Sequence, residues 1–138
     1  MRTGLAAEDL GDMLDRPLLA TLATYRRDGL VLLSPVWFEW RHGGFNIAIG
    51  RNDVKARHLR RDPRASVVVA EAEPPMRGLE IRGSARLLHQ SPEVDRRIVE
   101  RYVAAAEVDD YLAGLPPGVL VRLEPGALRA WDFADEHH

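Results

Sequence analysis

The sequence contains no cysteine and no hydrophobic run long enough to cross a membrane. Without cysteine there is no disulfide, no thiolate nucleophile and no zinc-cysteine site, a composition typical of a reducing cytoplasm. The longest apolar stretches, Leu18–Ala23 and Leu30–Phe38, are far shorter than the roughly 20 residues of a membrane helix. No signal-peptide hydrophobic region follows Met1. These absences predict a cytoplasmic protein that does not enter a membrane.

Lysine is almost absent as well. Lys55 is the only lysine among the 19 basic residues, so the other cations are all arginine. Either Lys55 occupies a position that requires a compact ammonium, or it has survived by chance on a solvated face. The net charge of −2 argues against a nucleic-acid-binding polycation. The 138 residues suit one domain, and we assign no function to His137 and His138.

Hydrophobic patterning in the first 50 residues predicts one short helix followed by a three-stranded meander. Apolar residues at helical spacing indicate an amphipathic helix over residues 6–15. Strand patterns follow over residues 18–24, 30–40 and 45–50, and Asp28-Gly29 is a hairpin signal between the first two.

The remaining sequence predicts two further helices or helical turns and four strands. Asn52 or Asp53 can cap a helix that runs to Arg61, and Ser91-Pro92 is a strong helix start. The strand candidates cover residues 65–72, 78–89, 119–124 and 128–133. Six or seven short, mostly hairpin-linked strands with two or three helices predict a mainly β, antiparallel barrel spanning residues 1–138.

No group of residues in the sequence forms a recognisable catalytic constellation. There is no nucleophile motif, no histidine pair at metal-ligand spacing and no glycine-rich phosphate loop. We therefore expect no catalytic side chain and no metal site. If the protein is an enzyme, a bound cofactor supplies the reactive group while the protein supplies orientation and electrostatics.

The best candidate for an anion site lies between Arg51 and Arg64, where six cations face two acids. Arg51 ends a strand, and Lys55 falls in the first turn of the next helix. Free backbone N–H groups and the helix dipole favour an anion at that point. An exposed charged helix and a nucleic-acid patch are the alternatives.

A second candidate is the aromatic strand Ser34–Trp40. Alternation gives this strand bulky side chains on both faces, and Pro35 cannot donate to a strand ladder. The strand is therefore either sandwiched within the protein or subunit interface, or it covers a planar ligand.

Taken together, these segments resemble the pyridoxamine 5′-phosphate oxidase-like superfamily of split β-barrel flavoproteins. They are most similar to its small actinobacterial branch of oxidoreductases that use the deazaflavin coenzyme F420. The resemblance rests on the following segments: Leu19–Thr24 with Asp28-Gly29, Ser34–Phe38, Lys55–Ala65, Arg77–Ala85, and Pro125 with Trp131-Asp132.

This resemblance implies a homodimer with cofactor grooves at the subunit interface. It implies that Lys55 and Arg51 hold the cofactor phosphate and that Arg57, Arg60 or Arg61 meets an anionic tail. Such a tail suits F420, which carries several carboxylates, better than FMN. The residues expected along the tricyclic ring are Ser34, Pro35, Val36, Trp37 and Phe38.

The implied activity is hydride transfer from reduced F420 to an unsaturated or conjugated small molecule. The alternatives are an FMN-dependent oxidase or reductase, and a non-catalytic protein that binds a cofactor or haem. His58 and His89 are the internal candidates for a haem ligand. Two departures from the family stand out: His58 replaces a frequent asparagine, and Leu30–Leu33 is unusually apolar, either lining a substrate pocket or deepening a dimer interface.

Overall fold

The computed structural model of the protein describes residues 2–133, so His137 and His138 lie outside the described residues. Three short 3₁₀ turns cover Ala7–Leu10, Met13–Asp15 and Ala105–Glu107. The other elements, in chain order, are β1 Ala20–Tyr25, β2 Val31–Val36, β3 Glu39–Arg41, β4 Gly44–Gly50, α1 Val54–Arg61, β5 Arg64–Ala70, β6 Gly78–His89, α2 Pro92–Tyr102, α3 Val108–Ala113, β7 Gly118–Leu123 and β8 Ala127–Trp131.

The strands form one curled antiparallel sheet. Within residues 2–133 the sheet has eight strands in the order β2-β1-β5-β6-β7-β4-β3, and β8 also pairs with β6. The 12-residue strand β6 joins the two halves. Its first part pairs with β5 and β8, while its second part, from Ala85 to His89, pairs with β7. This confirms the predicted mainly β antiparallel architecture.

The structure corrects two element boundaries. The strand predicted over residues 30–40 is two strands, because Trp37 and Phe38 leave the ladder and the Phe38 N–H donates to the Tyr102 hydroxyl at 3.3 Å. The helix predicted over residues 6–15 is two 3₁₀ turns. Gly11 lies between them with a φ of 61°, a backbone conformation that ends a right-handed helix.

The hydrophobic core lies inside the curl of the sheet. Its largest fully buried side chains are Phe38, Phe45, Leu10, Met13, Leu22, Ile47, Leu79, Ile81, Leu123, Val67, Val69 and Val121. They come from both halves of the sheet and from the N-terminal 3₁₀ turns, so the turns close one side of the core. Helix α1 packs against β1, β4 and β6, which places its cations beside the strand ends.

Candidate cofactor-binding site

Helix α1 begins as the sequence predicts, with Asp53 as its N-cap. The Asp53 carboxylate accepts a hydrogen bond from the Lys55 backbone N–H at 2.9 Å and binds the Lys55 ammonium at 3.0 Å. Although burial raises the pKa of Asp53, these bonds from Lys55 prevail and hold that pKa below its ordinary value. The carboxylate therefore satisfies the helix terminus and neutralises the lysine at the same time.

Lys55, a member of the predicted anion site, is therefore already paired, and it lines neither of the two cavities described below. Its side chain is only 16% exposed and is paired with Asp53. To hold a phosphate, the ammonium has to share or exchange this partner. The sequence placed Lys55 correctly in the first helical turn, but the competing cap could be recognised only from the structure.

Arg51 and Arg60 line a cleft of about 680 Å³, which we call the Arg51 cleft. Arg60 Nη2 donates to the Arg51 carbonyl oxygen at 2.8 Å, which ties the helix side chain to the end of β4. The remaining lining residues are Leu87, Leu88, His89, Gln90, Pro117, Gly118 and Val119. Sequence reasoning missed all of them as site residues except His89, because they come from the far ends of β6 and β7.

Arg57 and Arg61 do not share this cleft. They lie one helical turn apart and line a different cavity, of about 530 Å³, with the β1–β2 hairpin. We call this second space the hairpin cavity; its lining residues are Arg26, Arg27, Asp28, Val54, Arg57, His58 and Arg61. The cations that the sequence groups in one segment therefore divide between two sites.

His58 lies between α1 and β1 and is buried. Its Nδ1 is 3.0 Å from the Thr24 hydroxyl, so the residue that replaces the family's frequent asparagine still makes a local hydrogen bond. Burial, followed by the positive charges of Arg61 and Arg57, holds the pKa of His58 below its ordinary value. Both effects favour the neutral imidazole.

The C-terminal part of the predicted ring-lining segment Ser34–Phe38 is buried in the protein. Val36 and Phe38 are buried in the core, while Ser34 is half-buried and Pro35 is exposed on β2. Trp37 is stacked between two tyrosines of the helical region, with ring centroids 4.7 Å from Tyr102 and 5.4 Å from Tyr111. The Trp37 and Phe38 side chains thus have protein partners already, which leaves the backbone of the segment and Ser34 to face a ligand.

An apolar surface lies on the outer face of the sheet formed by β1, β2, β5 and β6. On β2 the side chains of Val31 and Leu33 are 46% and 64% exposed. The strand register aligns them with Tyr25 and Ala23 of β1. We call this surface the outer face; its members are Thr21, Ala23, Tyr25, Val31, Leu33, Pro35, Ser66, Val68, Glu80 and Arg82.

Neither a metal site nor a membrane helix is found in the part of the chain that the structure describes. Residues 2–133 hold no group of three His, Cys, Asp or Glu side chains able to bind a metal ion. No helix within them combines the length and the apolar character needed to cross a bilayer.

The curled antiparallel sheet and the cationic helix at its strand ends have counterparts in a known protein family. The model of the pyridoxamine 5′-phosphate oxidase family matches residues 6–132. The chain belongs to this family. The predicted split-barrel fold is thereby confirmed, and flavin-type cofactors are the ligands that this fold binds. No curated protein sequence matches the chain.

Solved structures agree on the fold. A conserved hypothetical protein of Mycobacterium tuberculosis is 26% identical, with a TM-score of 0.74 over 94% of this chain and 86% of that one. An F420 reductase is 23% identical, with a TM-score of 0.64 over 89% and 98%. The haem storage protein HutZ of Vibrio cholerae is 22% identical, with a TM-score of 0.73 over 95% and 98%. The last two similarities extend to the fold alone.

Proposed function

We propose that the protein is an F420-dependent oxidoreductase that reduces an unsaturated or conjugated small molecule. The observation that carries this proposal is the Arg51 cleft, a large open space lined, within residues 2–133, by two guanidinium groups and by no serine, threonine, cysteine or carboxylate side chain. Such a site can bind an anionic cofactor but has no reactive group of its own. An F420 reductase with the same fold supports the choice of cofactor.

The residues of the cleft fit the phosphate of a deazaflavin. Arginine presents planar donors that match phosphate oxygens, and Arg60 is already oriented by its bond to the Arg51 carbonyl. Lys55 is paired with Asp53, so in this proposal its ammonium exchanges that carboxylate for the phosphate. In this proposal Arg51 and Lys55 hold the phosphate, and Arg60 meets the anionic tail.

The aromatic segment orients the ring system. Stacking of Trp37 on Tyr102 and the Tyr102 hydrogen bond to Leu18 hold the backbone from Ser34 to Phe38 in one conformation. A fixed backbone lowers the entropy cost of placing the ring for reaction. When bound, the reduced deazaflavin supplies the hydride, and no side chain of this chain is assigned a covalent role.

The site is completed by a second copy of the chain. The outer face exposes Val31 and Leu33 on β2, and across β1 and β5 it carries Glu80 and Arg82 on β6. Glu80 and Arg82 form an ion pair at 3.1 Å, and a two-fold contact can pair such opposite charges across the interface. A contiguous apolar patch of this kind is typical of an interaction surface. The unusually apolar Leu30–Leu33 segment is thus assigned to a homodimer interface.

The proposal is tested by titrating the purified protein with F420, FMN and haem while following cofactor fluorescence or absorbance. We expect F420 to bind most tightly. Replacing Arg51 or Lys55 by alanine should weaken F420 binding about tenfold, because each loses a partly solvated charge-assisted phosphate contact. Arg86→Ala is the matched control, since Arg86 is exposed and within residues 2–133 its side chain pairs only with Glu124.

Three outcomes contradict parts of the proposal. Tight FMN binding without F420 affinity overturns the cofactor. Unchanged F420 affinity in both variants removes the assigned phosphate site. If F420 binds but no conjugated acceptor oxidises its reduced form, the protein stores the cofactor instead of using it.

Haem binding is the second candidate function. His89 is exposed and lines the Arg51 cleft, so its imidazole is accessible to an iron. His58 is a poorer ligand because its ring is buried and its Nδ1 is bonded to Thr24. In the haem titration, His89→Ala abolishes a haem spectrum that depends on an axial imidazole, whereas an unchanged spectrum excludes this role.

A further inference from the structure

The hairpin cavity carries positive charge that its own residues do not balance. Its walls hold four guanidinium groups and one carboxylate, and the carboxylate of Asp28 is already bound to Arg26 at 2.8 Å. The net charge of the lining is therefore strongly positive even after this ion pair is formed. Like charges held together in a concave space concentrate anions there.

Two of the four guanidinium groups have no hydrogen-bond or ion-pair partner among the described residues. Within residues 2–133, the side chains of Arg27 and Arg57 make no hydrogen bond and no ion pair, whereas Arg61 donates to the Tyr25 carbonyl and Arg26 binds Asp28. Several exposed arginines elsewhere in the described residues are paired, for example Arg86 with Glu124 and Arg96 with Asp109, whereas Arg41 and Arg51 have unpaired side chains as well. The cavity thus combines two anchored cations with two free ones.

The inner wall of the cavity adds a nearly buried neutral group. The His58 side chain lines the cavity although the residue is only 9% exposed. Its Nδ1 is occupied by the Thr24 hydroxyl, and its Nε2 has no hydrogen-bond partner in the described part of the chain. When the Thr24 hydroxyl donates to Nδ1, the proton of the neutral ring lies on Nε2, which can then donate to a ligand.

We infer that the hairpin cavity is a second anion site that binds a compact polyphosphate chain. Free guanidinium forks at Arg27 and Arg57 match the oxygens of adjacent phosphate groups, and His58 adds a neutral donor on the wall of the same cavity. A space of about 530 Å³ accommodates more than a single phosphate ion. The surplus of cations favours a ligand that carries several negative charges.

This site is separate from the proposed cofactor cleft. The two spaces have no lining residue in common, because Arg51 and Arg60 belong to one, and Arg57 and Arg61 to the other. The inference therefore does not depend on which redox cofactor the protein uses. It can fail while the proposed function stands, and the reverse also holds.

The test uses calorimetric titration of the full-length protein with sodium tripolyphosphate at low and moderate salt. The wild type is expected to bind, and the double variant Arg27→Ala/Arg57→Ala to bind roughly 100-fold more weakly, about tenfold for each guanidinium removed. Affinity of the wild type should fall with added salt. The double variant Arg86→Ala/Arg96→Ala loses the same charge outside the cavity and is expected to bind nearly as the wild type does.

Several results overturn the inference. No binding by the wild type, or an equal loss in both double variants, shows that the cavity is no specific site. Triglutamate carries a similar charge on carboxylates, and equal affinity for it overturns the assignment to phosphate. Retained F420 affinity in Arg27→Ala/Arg57→Ala supports the separation of the two sites, and a matching loss of F420 and tripolyphosphate affinity contradicts it.

Discussion

Replacing Glu71 by glutamine is expected to lower the free energy of unfolding by about 3 kcal/mol. The Glu71 side chain is only 1% exposed and accepts two bonds from the Arg77 guanidinium, both at 2.7 Å. It also accepts the Arg77 backbone N–H at 2.9 Å and contacts Arg16. Glutamine keeps the shape of the side chain but leaves two cations without their shared counter-charge.

The same network attaches the N-terminal turns to the sheet. Arg77 donates to the Leu10 carbonyl oxygen at 2.8 Å and to the Asp12 carboxylate at 2.9 Å. Loss of Glu71 therefore weakens both the β5–β6 hairpin and the packing of Leu10 into the core. Chemical denaturation followed by circular dichroism measures the change, and cooperative unfolding justifies a single free energy.

The pH dependence of the free energy of unfolding distinguishes this charge effect from a packing effect. The side-chain bonds from Arg77, opposed by burial, lower the pKa of Glu71 from 4.5 to about 2. A carboxyl group with a depressed pKa in the folded state stabilises the protein above its unfolded pKa. That stability is lost as the pH falls from about 5 to about 2. The difference between wild type and Glu71→Gln should therefore shrink over this range.

Glu124→Gln is the matched control, because Glu124 makes the same kind of ion pair on an exposed surface. Its effect on the free energy of unfolding is expected to stay below about 1 kcal/mol. A Glu71→Gln protein as stable as the wild type at neutral pH, or a difference that persists unchanged in acid, contradicts the assigned role.

Replacing Leu33 by glutamate is expected to weaken self-association by at least about 100-fold. Leu33 is the most exposed large apolar side chain of β2, and in a two-fold dimer the substitution buries two new charges at one apolar interface. Without a paired cation each charge opposes association by several kcal/mol. Analytical ultracentrifugation over a range of protein concentrations measures the dimer dissociation constant.

Met76→Glu is the control for added charge, because Met76 is an exposed apolar residue outside the outer face. It is expected to leave the dimer intact. A monomeric wild type, or a Leu33→Glu protein that dimerises as the wild type does, contradicts the assigned interface. Because the cofactor groove is proposed to include the partner subunit, F420 affinity should fall together with dimerisation in Leu33→Glu.

Much of the fold could be predicted from local signals in the sequence. Asp28-Gly29 forms the expected turn, with Gly29 at a φ of 84° and the Asp28 carboxylate accepting from the Leu30 N–H at 3.0 Å. Asp53 and Ser91 cap their helices as expected. Turn and cap chemistry acts within a few residues, so it can be recognised without knowing the rest of the molecule.

A longer-range partner explains why the strand over residues 30–40 was predicted wrongly. The break after Val36 depends on Tyr102, a residue of α2 that is far along the chain and carries no signal visible around Phe38. In the sequence, Tyr102 is equally well explained as one of the apolar positions of helix α2. Only the docking of α2 places the tyrosine hydroxyl where it can take the Phe38 N–H from a strand ladder.

The candidate site likewise combines features that the sequence predicted with features that only the structure could show. By itself, the sequence determined the fold class and the cationic segment with Lys55 in its first helical turn, because these follow from periodicity, capping and composition. Only the tertiary structure decided that Lys55 is paired with Asp53 and that Arg60 and Arg57 face different cavities. The physical reason is the orientation of α1 on the sheet: neighbouring side chains of one helix point in different directions, and packing against β1, β4 and β6 sets which direction each one takes.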